Sequence, residues 1–249
     1  MSMLKLNDKI PVIAVTLSGS VKRFIDCDRR IAVAFSLIVF FGTSDLFARL
    51  SDADEMKKAG WVNVKDADST IKVKLIYSCA DNFTGQIIYD NLEDAMLQPF
   101  AAKKLAAAQK ELRKQYPGHS LVVFDAGRTR RAQQIMWDAV KGTPESKYVS
   151  SPKRISMHSY GVAVDVSIID SNDNELDMGT PVDFLGPQAE PRREKEMLES
   201  GKLTLKQINN RNILRNVMQK AGFRRISNEW WHFEACTREE AEAKYKPVS

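Results

Sequence analysis

The chain contains only three histidines, and two of them stand beside carboxylates at spacings that suit a metal site. In the run Ser156-Met157-His158-Ser159-Tyr160-Gly161-Val162-Ala163-Val164-Asp165, a histidine at a turn is followed seven residues later by an aspartate inside an apolar strand. An ionised carboxylate among Val162, Val164 and Val166 is expensive to bury unless a cation or hydrogen-bond donors compensate it. Strand alternation places Asp165 on the side of Ala163, which is small enough to leave room for an ion. The second histidine lies in Glu229-Trp230-Trp231-His232-Phe233-Glu234, three residues after a carboxylate. Two imidazoles and one carboxylate make a three-ligand set that leaves a fourth tetrahedral position for water, as a catalytic zinc requires. His158, Asp165 and His232 are therefore the expected ligands, and Glu229 is the expected general base for that water. The alternative is two unconnected core histidines and a salt-bridged aspartate, which the joint presence of both runs disfavours.

These two runs, Ser-x-His-x-x-Gly-x-Ala-x-Asp and Glu-Trp-Trp-His, resemble those of the VanX-type zinc D-Ala-D-Ala dipeptidases, within a wider group that includes D,D-carboxypeptidases, lysostaphin-like peptidases and hedgehog domains. The likeness extends from about Trp61 to His232 and implies a single zinc ion held by His158, Asp165 and His232, with Glu229 as base. Phe124-Asp125-Ala126-Gly127-Arg128-Thr129 is similar to the group's Asp-x-x-Arg-Pro run, with threonine in place of the proline. By resemblance, Arg128 stabilises the tetrahedral oxyanion, and Asp125 would orient Arg128 or a neighbouring ligand. Tyr77 with Asp81-Asn82-Phe83-Thr84-Gly85, and the loop Leu176 to Phe184, look like features specific to the dipeptidases. They imply that Tyr77 and Asp183 engage the ammonium of a small dipeptide substrate and Ser156 its carboxylate. A pocket that pairs both termini rejects longer peptides, because an extension leaves a buried charge unpartnered. Two rivals remain: a D,D-carboxypeptidase or endopeptidase acting on peptidoglycan stems, and a non-catalytic zinc-bearing binding module.

The elements that must position these residues read as α+β, and the resemblance implies a hedgehog/D,D-peptidase-like fold with a central antiparallel sheet flanked by helices. Ile71, Val73, Leu75 and Tyr77 alternate with polar residues and predict a half-buried strand. Residues Leu92 to Gln115 predict a helix interrupted only by Pro99, and Leu121 to Phe124 a buried strand ending at Asp125. Arg130 to Val140 should be helical, Val162 to Ile169 a strand, and Asp170 to Leu203 a long loop covering the site. Thr204 should cap a helix running to Ala221 and ending at Gly222, before short strands at Phe223 to Ile226 and Trp230 to Phe233. His119 reads as a surface turn, Arg192-Arg193 and Arg238-Glu239-Glu240 as solvated charges, and the paired tryptophans as core that walls the site.

The composition is that of a globular chain: 249 residues, 43% apolar, with a formal charge of +5. Its basic residues are scattered among acidic ones, so no stripe fit for nucleic acid is present. Near the amino terminus, Arg29-Arg30 precedes an apolar run from Ile31 to Phe41 and then Gly42, Thr43 and Ser44. This is the profile of a signal peptide, cleavable after Ala48, and the run is short for a membrane span. Residues 1–48 are read as a signal peptide or anchor and residues 49–249 as the peptidase domain. An exported protein, periplasmic or secreted, is expected; an uncleaved anchor facing the periplasm and a buried core segment are the alternatives, and no other membrane contact is expected. The leading segment holds six basic and four acidic side chains, so its loss lowers the net charge from +5 to +3. Cys79 and Cys236 would remain, either paired or as free thiols.

Overall fold

The computed structural model describes residues 51–89 and 92–249, so the expected signal or anchor segment lies outside the described residues. Helix α1 (Asp52–Lys58) is capped by the Ser51 hydroxyl, which accepts from the Asp54 N–H. The chain then enters β1 (Val62–Asn63), which pairs antiparallel with β3 (Met96–Leu97), and α2 (Val64–Ala67). Next come β2 (Lys72–Val73), α3 (Pro99–Gln115), β4 (Ser120–Asp125), α4 (Arg130–Val140) and β5 (Ala163–Ile169). The carboxyl-terminal part adds α5 (Glu194–Glu199), α6 (Leu205–Lys220), β6 (Arg224–Arg225), β7 (His232–Glu234) and α7 (Arg238–Lys244).

Five strands form one sheet in the order β2-β4-β5-β7-β6, antiparallel except for the parallel β2–β4 edge. The α+β expectation with a central antiparallel sheet holds, the one parallel pairing lying at that edge. Every residue of β5 is buried, because β4 and β7 cover both its edges and helices and loops close over its faces. Helix α3 packs on β4 and on α6, and the buried Leu105, Ala108 and Leu112 of α3 share the core with Leu214, Val217 and Met218 of α6.

The expected strand Ile71 to Tyr77 is cut short. Ladder pairing ends once Lys74 N–H has donated to Val123 O, and Ile76–Ser78 forms a 3-10 turn instead. That turn buries Tyr77, whose carbonyl accepts from the N–H groups of Ile88 and Tyr89. The expected helix from Leu92 begins only at Pro99, which takes the first helical position, where its missing N–H removes no bond. Gln98 before it is pushed into extended backbone, as the steric clash with a following proline ring demands. The segment Asp170 to Leu203 is less loop-like than expected, since it holds α5 and two 3-10 turns. It is fastened from beneath by the buried Arg211 of α6, which donates to Met178 O at 2.7 Å and Gln188 O at 2.9 Å. The expected strand Trp230 to Phe233 starts later, at His232, and Trp230 turns its Nε1–H to Thr180 Oγ1 at 2.8 Å. Cys79 and Cys236 are both free thiols.

Candidate metal centre and substrate pocket

His158 sits on a 3-10 turn, Met157–Tyr160, whose first N–H groups are capped by Ser156: its hydroxyl accepts from His158 N–H at 3.3 Å. Gly161 ends the turn at φ +70°, a left-handed conformation that glycine adopts freely. A Cβ there would lie 2.7 Å from the Trp61 ring, so close packing as well as backbone angle demands glycine. The chain then runs straight into β5, where Asp165 is the register partner of His232 in β7 on one side and of Asp125 in β4 on the other. A bulge between Val123 and Asp125 sets that last pairing.

The three expected ligands converge. His158 Nε2 lies 3.2 Å from His232 Nδ1, His232 Nδ1 lies 3.0 Å from Asp165 Oδ1, and Asp165 Oδ2 lies 3.4 Å from His158 Nε2. All three side chains are buried, and they form the one such group of ligand-type residues among the described residues, with ligand atoms within 4.8 Å of one another. His158 Nδ1–H donates to Ala126 O at 2.6 Å, so in the neutral ring the lone pair on Nε2 points into the cluster. Lone pairs of two imidazoles and a carboxylate facing one another repel unless a cation or a proton lies between them. This donor set fits a metal ion. Burial opposes ionisation of Asp165, yet the flanking imidazoles hold its carboxyl well below the usual carboxylate range. For His232, burial disfavours the charged ring, but the hydrogen bond to Asp165 and the carboxylate of Glu234 close by outweigh it and move the imidazole up to about 10. The cluster thus binds positive charge strongly, as a proton here or as a metal ion.

Around this centre lies a cavity of about 520 Å³, and the candidate residues Tyr77, Arg128, Ser156, Asp183 and Glu229 line it together with the three ligands. Asp125 stands fully buried behind them and accepts from Arg128 Nε at 3.0 Å and Nη2 at 2.6 Å. The remaining Arg128 Nη1 donates to Gln133 Oε1 at 2.9 Å, which fixes the guanidinium plane beside the Tyr77 ring, 5.6 Å away. Burial works against the Arg128 charge, but Asp125 and its neighbours raise its affinity for the proton overall. Tyr77 donates its hydroxyl hydrogen to Asp183, and both are shifted upward. For Asp183 the loss of water and then the field of Asp165 bring the carboxyl to about 7. Asp183 also holds φ at +62°, an uncommon conformation for a residue with a side chain. Glu229 Oε2 lies 3.9 Å from His232 Nδ1, too far for a hydrogen bond, and desolvation lifts its carboxyl to about 8.

The family described as D-Ala-D-Ala dipeptidase, Peptidase_M15, matches residues 57–247, a span that holds every candidate residue. The chain belongs to this family of metallopeptidases. A D-alanyl-D-alanine dipeptidase of Escherichia coli is 34% identical over 169 residues, covering 66% of this chain and 78% of that protein. Those of Synechocystis (27% over 175 residues, 58% and 71%) and Enterococcus faecium (29% over 183 residues, 63% and 82%) are similar to it as well.

The dipeptidase-family site also contains side chains that local sequence patterns do not signal. Tyr89 donates to Asp125, Gln133 holds Arg128, and Glu234 reaches within 3.8 Å of His232 Nε2. Arg238, read above as a solvated charge, is largely covered, lines the cavity and donates to Ile155 O at 2.8 Å. Arg154 lines the cavity too. A strand period of two could have flagged Glu234 beside His232; the others come from distant segments and had no such signal. Trp230 and Trp231 pack edge to face in the core, as expected.

Proposed function

We propose that this metallopeptidase hydrolyses D-alanyl-D-alanine to two D-alanines, with a single zinc ion held by His158, Asp165 and His232. The observation that carries the reading is the meeting of the three buried donors with Glu229, Arg128 and the Tyr77–Asp183 pair in one cavity. Two imidazoles and one carboxylate are a donor set that suits zinc. Zinc in such a centre supplies Lewis acidity and brings the pKa of a water toward neutrality. Positive charge there also draws Glu229 back to its ionised form, so that it can take a proton from the attacking water. Glu229 then passes that proton to the leaving amine. Arg128, held in orientation by Asp125 and Gln133, presents its guanidinium to the carbonyl oxygen as negative charge develops. Asp183 and Tyr77 receive the substrate ammonium, and Ser156 hydrogen-bonds its carboxylate.

Two assays test this reading. Free D-alanyl-D-alanine and a stem pentapeptide ending in the same pair are offered to the zinc-loaded protein. Preference for the dipeptide is expected; preference for the pentapeptide would favour a D,D-carboxypeptidase, and no cleavage of either would leave a zinc-bearing binding module. Metal analysis should return one zinc per chain. We also propose that the protein is exported, on the strength of the Arg29-Arg30 and Ile31 to Phe41 profile. Mass spectrometry of the mature amino terminus in cell fractions tests that: a cytoplasmic chain still carrying these residues would refute it.

A further inference from the structure

The substrate that this proposed function requires has two charged ends, and the cavity is not equally equipped for them. At one end, Asp183 stands ready for the ammonium. At the other, Ser156 is neutral, and its hydroxyl oxygen already accepts from His158 N–H. A carboxylate drawn into a partly dehydrated cavity against a hydroxyl alone is costly to desolvate, so a cation is needed nearby.

Four basic side chains line the cavity. Arg128 is held by Asp125, which offsets its charge, and by Gln133. Arg238 donates to Ile155 O and pairs with Glu242 at 3.3 Å. Lys147 stands over the Tyr148 ring, on the turn Pro144–Tyr148 and away from Ser156 in the chain. Arg154 differs from Arg128 and Arg238 in being exposed and in making no side-chain hydrogen bond or ion pair with any described residue. It differs from the equally exposed Lys147 in lying two residues before Ser156 with no aromatic ring of a described residue beneath it. Arg238, by gripping the carbonyl of the intervening Ile155, fixes the stretch that carries both. Arg154 and Ser156 also line a second hollow of about 310 Å³ that adjoins the first, together with Gln133 and Ser151, so the pair forms part of the partition between the two.

We propose that Arg154 is the charge partner of the substrate's terminal carboxylate, with Ser156 as hydrogen-bond donor, and that it makes the enzyme select a free carboxyl terminus. This inference rests on the dipeptidase reading above. Arg154 takes no part in the chemical step, so its loss should weaken binding uniformly and leave kcat nearly unchanged.

The test compares D-alanyl-D-alanine with its carboxyl-terminal amide. The unaltered protein should prefer the acid. Arg154→Ala should raise KM for the acid by about 10- to 100-fold, the range for one charge-assisted hydrogen bond, and leave the amide unaffected. Arg154→Lys should restore part of the preference, and Arg154→Glu should reverse it. Equal effects on acid and amide, or no effect, would overturn the proposal while the dipeptidase reading stood. Calorimetric binding in the Glu229→Ala background separates the two claims. If the unaltered protein cleaves neither ligand, yet that background binds the acid in an Arg154-dependent way, the function falls and Arg154 keeps its role. If no Arg154-dependent binding is seen, Arg154 falls as well.

Discussion

Glu229 stands beside the metal cluster without a hydrogen bond to it, 3.9 Å from the nearest imidazole nitrogen, and that spacing suits a group that moves a proton. Glu229→Gln should therefore keep the metal and lose turnover by at least about 10²- to 10⁴-fold, the usual range for a general base. Metal content and kcat measured on the same sample check it; near-normal turnover would remove Glu229 from the mechanism. Arg128 has two duties, so its loss should show in two readouts. Arg128→Ala leaves Asp125 as an unpaired charge at full burial, a loss of about 3–5 kcal/mol of stability, and lowers kcat by about 10²- to 10³-fold. Arg128→Lys keeps the charge without the fork, and should recover more stability than activity; thermal unfolding and kcat together decide. At this scale the sequence was most informative. The two histidine runs mark their own ligands because an aspartate in a valine strand and a glutamate before paired tryptophans are odd neighbours in a purely apolar setting. Tyr89, Gln133, Arg154 and Arg238 carry no such local oddity, and only tertiary packing reveals them.

The elements that set those residues in place were legible where side-chain pattern and backbone chemistry agree. Helix α4, strand β5 and the Thr204-capped α6 fall within a residue of expectation, since each has a clear period and a cap or a turn at its end. The misread stretches are those where pattern alone was followed. Alternation at Ile71 to Tyr77 described which residues are buried but not which backbone groups find a strand to pair with. The helix-rich composition before Pro99 was overridden by the backbone restriction that a proline places on its predecessor. Trp61, by contrast, gave no hint of its importance. Its ring lies where a Cβ at either Gly127 or Gly161 would go, one residue before Arg128 and three after His158. Gly161→Ala should accordingly destabilise the fold by about 1–2 kcal/mol from its φ of +70° alone, and by more once Trp61 is displaced. Thermal unfolding measures it; an unchanged midpoint would mean that the turn re-forms without the ring.

For the molecule as a whole, the site makes stability depend on protons and metal together. In metal-free protein Asp183 and Glu229 hold their protons up to about 7 and about 8, whereas the unfolded chain releases them near ordinary carboxylate values. The folded state binds more protons in that interval, so this contribution is complete in acid and is lost as pH climbs from about 4 to about 8. Metal binding has the opposite slope, because its ligands must shed protons first. The midpoint of chelated protein should thus fall between about pH 5 and pH 8, while zinc-loaded protein gains on it across the same interval. A chelated sample that grows more stable over that range would contradict the scheme.

The register that sets Asp125 directly across from Asp165 has a consequence for the life of the protein in a cell. Arg128 answers one of these carboxylates, but the other is balanced only by a proton on its imidazole neighbours or by an ion from outside. A molecule that never meets a metal ion should open more often along its two central strands and be cleared sooner by proteases that sample open chains. Abundance would then follow metal supply with no dedicated sensor, the quality of each copy being judged by whether its innermost ladder is electrically balanced.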